Sequence, residues 1–149
     1  MRSLLKYVAT LGFVGYLPAA PGTWGSLVAA ILFALLKPDD VATVYLLIAA
    51  LCIGTISAHH AEKVLNEKDS SHIVIDEFAG YIVSVLLLPA RLPYYLSAFL
   101  LFRFFDILKP PALRRIERFP GGIAIMADDV LAGVYTNIVL QVWKALTET

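Results

Sequence analysis

The sequence predicts an all-α protein, a compact helical bundle held in a membrane by four to five embedded helices. Hydrophobic residues make up 59% of the 149 residues and charged residues only 16%, and the mean hydropathy is +0.75. Soluble domains carry about 25% charged residues, so this much apolar surface requires lipid or a large partner. The apolar residues fall in runs separated by proline, glycine and charged breaks, as in helices joined by short turns.

The length favours a single domain covering residues 1–149, and no internal repeat divides it. Twelve basic and twelve acidic residues give a net charge of zero. Nucleic-acid-binding proteins carry a strongly basic face, so we expect no nucleic-acid partner. The single cysteine, Cys52, lies inside an apolar run and is interpreted as a buried structural residue.

Six helices are predicted from the apolar runs and the breaks between them. They cover about residues 3–13, 23–36, 41–58, 73–89, 94–108 and 127–146. Either Thr23 or Ser26 could cap the second helix, which is short for a membrane about 30 Å thick. Residues 41–58 carry no charge and form the clearest predicted span. A polar connector from His59 to His72 follows that span.

The distribution of basic residues predicts the orientation in the membrane. In a back-and-forth threading, one side receives Arg2, Lys6, Lys63, Lys68, Arg103, Lys109, Arg114, Arg115 and Arg118. The other side receives Lys37 and Arg91, with Lys144 close to the far end of the last helix. The first side is therefore predicted to be cytoplasmic. Its three arginines after residue 110 would contact anionic lipid headgroups.

Five carboxylates at the edges of apolar runs are the strongest functional signal. They are Asp76, Glu77, Asp106, Asp128 and Asp129, which lie on three predicted helices at their cytoplasmic ends. Carboxylates near lipid are costly unless they are paired, hydrated or bound to a cation. Mg²⁺ takes carboxylate, water and phosphate oxygens, so the pattern predicts one cation site. Because adjacent helical residues point about 100° apart, we expect only one of each adjacent pair to bind the ion directly.

Other interpretations of the charged residues stay open at this point. Acidic residues in a first helical turn can complement the macrodipole, although Asp106 lies near a predicted C-terminus. Arg103, Asp106 and Lys109 recur every three residues on one helical stripe. The two cations could hold phosphate oxygens while Asp106 orients Arg103 or binds metal. Alternatively, the three could form only a local salt bridge.

Two further motifs each have a functional and a simpler interpretation. The stretch APGTWGS at residues 20–26 could be an anion-binding turn, because its glycines allow close approach to free N–H groups at a helix start. It could equally be a plain turn with an interfacial Trp24. His59, His60 and His72 are interpreted as solvated connector residues, since a zinc site needs a fuller ligand set.

Four ordered blocks of the chain resemble the phosphatidylglycerophosphatase A family. They are APGTWGS at 20–26, the segment from Asp69 through IVIDEFAG to Gly80, FRFFDILKP at 102–110 and GGIAIMADDVLAG at 121–133. Their order and spacing together are specific. One departure is Ala124, where the family's last block has glycine.

The resemblance implies a magnesium-dependent enzyme of the bacterial inner (cytoplasmic) membrane, with its active site on the cytoplasmic side. Such an enzyme removes the terminal phosphate of phosphatidylglycerol phosphate, an anionic phospholipid. The five carboxylates would be catalytic and metal-binding. The substrate-binding positions would be Thr23, Trp24, Arg103 and Lys109. Asp69 also falls on a polar motif position of the family.

The sequence also limits the mechanism and the competing functions. It contains neither a Cys-x5-Arg loop nor an Asp-x-Asp-x-Thr motif, which favours attack by water assisted by a metal ion. The alternative is a small membrane cation-binding protein or transporter that uses the acidic cluster, although transporters often show internal repeats. A CDP-alcohol phosphotransferase is disfavoured because its Asp-Gly-x2-Ala-Arg signature is missing.

Overall fold

The computed structural model describes residues 2–68, 70–111 and 121–147, and every regular element in these ranges is helical. The elements are α1 (Arg2–Ala9), the 3₁₀ turn η1 (Val14–Tyr16), α2 (Pro21–Leu36), α3 (Asp40–Leu65), α4 (Ile75–Val85), α5 (Leu92–Leu108) and α6 (Gly122–Thr147). The predicted all-α class is confirmed. Asp69 and the three arginines at 114, 115 and 118 lie outside the described residues.

The second helix begins earlier than predicted. It starts at Pro21, and Ala20 before it adopts a left-handed conformation with φ 60° and no side-chain cap. Proline suits this position because its fixed φ is already helical and its missing N–H would be unpaired there. Neither Thr23 nor Ser26 caps the helix; the buried Ser26 hydroxyl donates to the Gly22 carbonyl at 3.0 Å.

Other predicted boundaries also differ, including the end of α1 at Ala9 and the end of α4 at Val85. Two further differences affect the site. α3 continues to Leu65 and ends at Asn66, which has φ 52°, so His59 and His60 lie on a helix. α6 begins at Gly122, which places Asp128 and Asp129 beyond its first turn. Since the macrodipole effect is confined to the first turn, it does not account for these two carboxylates.

The lone cysteine is exposed, contrary to the prediction. Residues four apart share one face of a helix, and both Ile48 and Ile56 are at least half exposed. Cys52 therefore lies on the outward face of α3.

The central helix of the bundle is α4, which packs against α2, α3, α5 and α6. Its Tyr81 and Ile82 side chains are fully buried, as expected for a helix that is apolar all round. The Tyr81 hydroxyl donates to the Tyr95 carbonyl of α5 at 3.0 Å. Because Asp76 and Glu77 lie in the first turn of α4, two carboxylates stand at the end of this buried helix.

Glycines allow α4 and α6 to cross at close range. A Cβ at Gly80 would lie 2.6 Å from both the Asp129 carbonyl and the Phe102 ring. A Cβ at Gly133 would collide with the Gly80 carbonyl and lie 3.0 Å from Val83 Cβ. The crossing therefore fixes the Asp129 backbone against α4.

The last residue of α1 and the turn after it contact the residues that lead into α4. The Val74 N–H donates to the Ala9 carbonyl at 2.9 Å, and His72 Nδ1 lies 2.8 Å from the Gly15 carbonyl. The His72 ring also stacks on Tyr16, with 4.6 Å between the ring centroids. His72 was predicted to be solvated, but it is half-buried and holds this loop in place.

Two of the described helices, α3 and α6, are long and apolar enough to cross a membrane. The mean hydropathy of the most apolar window is 2.2 in α3 and 1.6 in α6, and 28% and 50% of these windows are buried in the protein. α2 is apolar but shorter. The larger number of embedded helices expected from the sequence stays a prediction.

Candidate active site: a buried carboxylate cluster

Three helices bring the five predicted carboxylates together. One oxygen each from Asp76, Glu77 and Asp129 lie within 4.8 Å of one another, and the same holds for Asp106, Asp128 and Asp129. Asp129 belongs to both groups and so links them. The cluster therefore combines the start of α4, the C-terminal end of α5 and the second turn of α6.

Both members of each adjacent pair contribute an oxygen to the cluster. The expectation that only one of each pair binds the ion directly stays a prediction. Asp76 and Glu77 reach the same group, and Asp128 and Asp129 share the other. The angle of about 100° between neighbouring positions separates the Cβ atoms only. Rotation about the side-chain bonds, and the extra methylene of Glu77, return the carboxylates to one place.

Two cations contact the cluster. Arg103 Nη1 donates to Asp106 Oδ2 at 2.5 Å within α5. Lys109 Nζ donates to Asp128 Oδ2 at 3.0 Å, across to α6. Lys109 ends α5 in a left-handed conformation with φ 44°. The local salt bridge considered from the sequence therefore forms between Arg103 and Asp106. Lys109 instead pairs with Asp128 and so joins α5 to α6.

Several oxygens of the cluster are buried without a hydrogen-bond partner. Among the described residues these include Asp76 Oδ1, Glu77 Oε2 and Asp129 Oδ2. A buried polar atom without a partner costs about 1–3 kcal/mol, and more when it is charged. Five carboxylates and two cations also leave the site with an excess of negative charge.

The pKa shifts of Asp76 and Glu77 on α4 are consistent with this excess of negative charge. Burial raises the pKa of Asp76 well above its ordinary value, and repulsion from Glu77 and Asp129 raises it further. Burial also raises the pKa of Glu77, despite opposing hydrogen bonds and the nearby Arg103. Such carboxylates either take up protons or bind a cation. Unpartnered carboxylate oxygens at this spacing fit the donor set of Mg²⁺.

The cluster lines a cavity of about 240 Å³ that is partly open. Its polar lining includes all five carboxylates and Lys109. Ala124, which departs from the family pattern, lies in the wall. A substrate group that enters the cavity therefore meets the carboxylates directly.

The sequence model of the phosphatidylglycerophosphatase A family matches residues 7–144. This chain belongs to the phosphatidylglycerophosphatase A family. A provisionally named phosphatidylinositol-3-phosphatase of Bacteroides thetaiotaomicron is 38% identical over 150 residues, covering 94% of each chain. No solved structure matches the chain.

Two further relatives carry the family's own name. Phosphatidylglycerophosphatase A of Haemophilus influenzae is 38% identical over 145 residues, covering 92% of this chain and 89% of that protein. The Escherichia coli protein of the same name is 37% identical over 139 residues, covering 90% and 80%. The similarity therefore extends over nearly the whole chain and includes the helices that build the cluster.

The glycine-rich turn of this family member lies beside the cluster. A Cβ at Gly22 would collide with Glu77 Oε1 and lie 3.2 Å from Arg103 Nη1. A side chain at this position would therefore displace the half-buried Glu77 carboxylate or the neighbouring Arg103 guanidinium. Of the four predicted substrate-binding residues, Lys109 lines the cavity, whereas Thr23, Trp24 and Arg103 do not. The Trp24 ring N–H donates to the Pro18 carbonyl at 3.2 Å.

Four polar residues of the cavity wall were not among the predicted site residues. They are Glu62, Lys68, Ser70 and Ser71, all in the stretch interpreted as a polar connector. The extension of α3 to Leu65 brings Glu62 to the site. Ala58 and Ala61 are small apolar residues three positions apart, a spacing that could have indicated a continuing packed helix. Both are buried in the structure.

Proposed function

We propose that this protein hydrolyses the terminal phosphate monoester of phosphatidylglycerol phosphate to give phosphatidylglycerol and inorganic phosphate. The observation that carries the proposal is the buried carboxylate cluster at an open cavity, in a chain of this family. Two of the relatives are named for this activity. The contacts of Arg103 and Lys109 with the cluster support a site for a phosphoryl group, because both side chains bind phosphate oxygens well.

The chemistry we propose is direct transfer of the phosphoryl group to water. Asp76, Glu77 and Asp129 would hold Mg²⁺, with Asp106 and Asp128 in the second oxygen group. When bound, the ion supplies positive charge at the phosphoryl group and acidifies a coordinated water.

The side chains of the cluster supply the remaining roles. Arg103 and Lys109 would hold non-bridging phosphoryl oxygens, and Asp106 would orient Arg103. A carboxylate not committed to the ion would accept the proton of the attacking water. The bond from phosphorus to the glycerol oxygen breaks, and that oxygen then takes up a proton.

The membrane arrangement is part of the same proposal. α3 and α6 would span the bilayer, and the other apolar helices would complete four to five embedded elements within a single domain. Exposed apolar side chains support this placement, including Leu35 and Leu36 on α2 and Leu96 and Leu100 on α5. With basic residues on the cytoplasmic side, the cavity would open toward the cytoplasmic headgroups of the inner membrane.

A phosphate-release assay tests this function. Purified protein in detergent micelles is expected to release phosphate from phosphatidylglycerol phosphate in the presence of Mg²⁺. Excess chelator should abolish the release, and added Mg²⁺ should restore it. Phosphatidylinositol 3-phosphate serves as a second substrate because of the relative named for it.

The outcomes separate the two functions considered for this chain. Release that persists in chelator would contradict the metal-assisted mechanism. Saturable cation binding without release from either lipid would favour the cation-binding protein or transporter instead.

A further inference from the structure

We propose that Lys68 determines substrate specificity by binding the phosphodiester of the lipid headgroup. The inference rests on the proposed function and names the substrate class of the same cavity. That class is a phosphate monoester on a polyol that a phosphodiester joins to the lipid. A headgroup without the diester, as in phosphatidic acid, would lack this contact.

Lys68 lines the cavity that holds the carboxylate cluster. It comes from the loop between α3 and α4, whereas Lys109 enters from the end of α5. The Lys68 side chain is exposed, so it lies at the cavity mouth while Asp76 and Asp129 are buried within. A lysine has a flexible stem and three donors, which suits a charged group that stops at the entrance.

Several described residues close to Lys68 have fixed partners or a defined backbone conformation. The buried Ser70 hydroxyl donates to Glu67 Oε2 at 2.7 Å, and the Ile73 N–H donates to the Ser70 carbonyl at 2.9 Å. Asn66 on the other side ends α3 in its left-handed conformation. Described neighbours on both sides of Lys68 are therefore tied to the fold by hydrogen bonds or by the end of α3.

Charge also distinguishes Lys68 from the other cations at the site. Arg103 contacts Asp106, and Lys109 contacts Asp128. Lys68 forms no ion pair with another described residue. A phosphate monoester carries a charge of about −1.5 to −2 at neutral pH, and a diester adds one more. Acidic residues outnumber basic ones in the cavity wall, so the diester needs a cation of its own.

The two lipids in the names of the relatives have the same number of carbons between their monoester and diester oxygens. In phosphatidylglycerol phosphate, three glycerol carbons separate the monoester oxygen from the diester oxygen. In phosphatidylinositol 3-phosphate, ring carbons 1 to 3 give the same separation. The proposed arrangement, with the monoester at the carboxylates and the diester at Lys68, would therefore be the same for both lipids. In phosphatidylinositol 4-phosphate, the two esters are one carbon further apart.

The test compares Lys68→Met with Lys68→Arg and with Lys63→Met. Lys63 is an exposed lysine on the same helix–loop segment that does not line the cavity. Lys68→Met is expected to lower kcat/KM for phosphatidylglycerol phosphate by about 10- to 100-fold, the range of one hydrogen bond to a charged group. Lys68→Arg should retain most of the activity, and Lys63→Met should match the wild type.

Product inhibition separates binding of the diester from binding of the monoester. Phosphatidylglycerol contains only the diester, and its inhibition constant is expected to rise by about 10- to 100-fold in Lys68→Met. The inhibition constant of inorganic phosphate should not change. The wild type should also hydrolyse phosphatidylinositol 3-phosphate faster than the 4-phosphate.

The results test separately the binding of the diester by Lys68, the spacing of the two esters and the phosphatase function. If both inhibition constants change together, or neither changes, Lys68 does not bind the diester and the inference is wrong. Equal hydrolysis of the 3- and 4-phosphates would overturn the spacing. If the wild type releases no phosphate from any lipid, the proposed function fails and this inference fails with it.

Discussion

Replacing Asp129 with asparagine, or Glu77 with glutamine, is expected to lower the rate of phosphate release by at least about a hundredfold, the scale of losing one electrostatic contact in an active site. Asp129 belongs to both oxygen groups, and Glu77 lies against Gly22 and close to Arg103. Each substitution nearly preserves size and removes one negative charge. The measurement is kcat with phosphatidylglycerol phosphate at saturating Mg²⁺.

A stability measurement distinguishes a functional role for these carboxylates from a structural one. The cluster is buried and carries excess negative charge, so neutralising one member should not lower the thermal unfolding temperature in chelator. Asp40→Asn is the matched control, because Asp40 is an exposed carboxylate in the first turn of α3, outside the cluster. Unchanged activity in both cluster variants, or a loss of folding that accounts for the lost activity, would contradict the catalytic assignment.

Replacing Gly80 with alanine is expected to impair both stability and activity. The added methyl group would lie 2.6 Å from the Asp129 carbonyl and from the buried Phe102 ring. Neither neighbour is the free end of a flexible side chain, so the α4–α6 crossing must widen. Overpacking of this kind costs about 1–3 kcal/mol, which equals or exceeds the gain of about 1 kcal/mol from replacing glycine in a helix.

Widening the crossing would also move Asp129 away from Asp76 and Glu77. We therefore expect Gly80→Ala to raise the Mg²⁺ concentration needed for half-maximal activity, in addition to lowering the unfolding temperature. Cys52→Ala on the exposed face of α3 is the control, since it changes a small helical residue outside the core. A Gly80→Ala protein with wild-type stability and Mg²⁺ dependence would show that this close approach is not required.

The sequence was most informative for residues whose chemistry conflicts with their surroundings, because few structural roles explain them. Carboxylates at the edges of apolar runs are costly, and this cost predicted that Asp76, Asp106 and Asp129 would converge before any helix was placed. Long uncharged runs likewise predicted the helices. Both inferences depend on local residue composition, which can be read from the sequence without knowledge of tertiary contacts.

Predictions that depended on tertiary packing were less accurate. α3 continues through His59 and His60 because Ala58 and Ala61 pack against the core, while the polar side chains alone indicated a connector. The glycine contacts at positions 22 and 80 depend on which helices cross. The place of Lys68 at the cavity also depends on tertiary packing. A charged loop residue has no sequence pattern that would predict it.

Direct binding of a divalent cation tests the central claim, that the carboxylates form one metal site. Mn²⁺ accepts the same oxygen ligands as Mg²⁺, and its paramagnetic resonance signal separates free from bound ion without any substrate. The wild type is expected to bind Mn²⁺ saturably, with displacement by Mg²⁺, and Asp129→Asn to lose that binding. A wild type that binds no Mn²⁺, or an Asp129→Asn protein that binds it equally well, would contradict the claim.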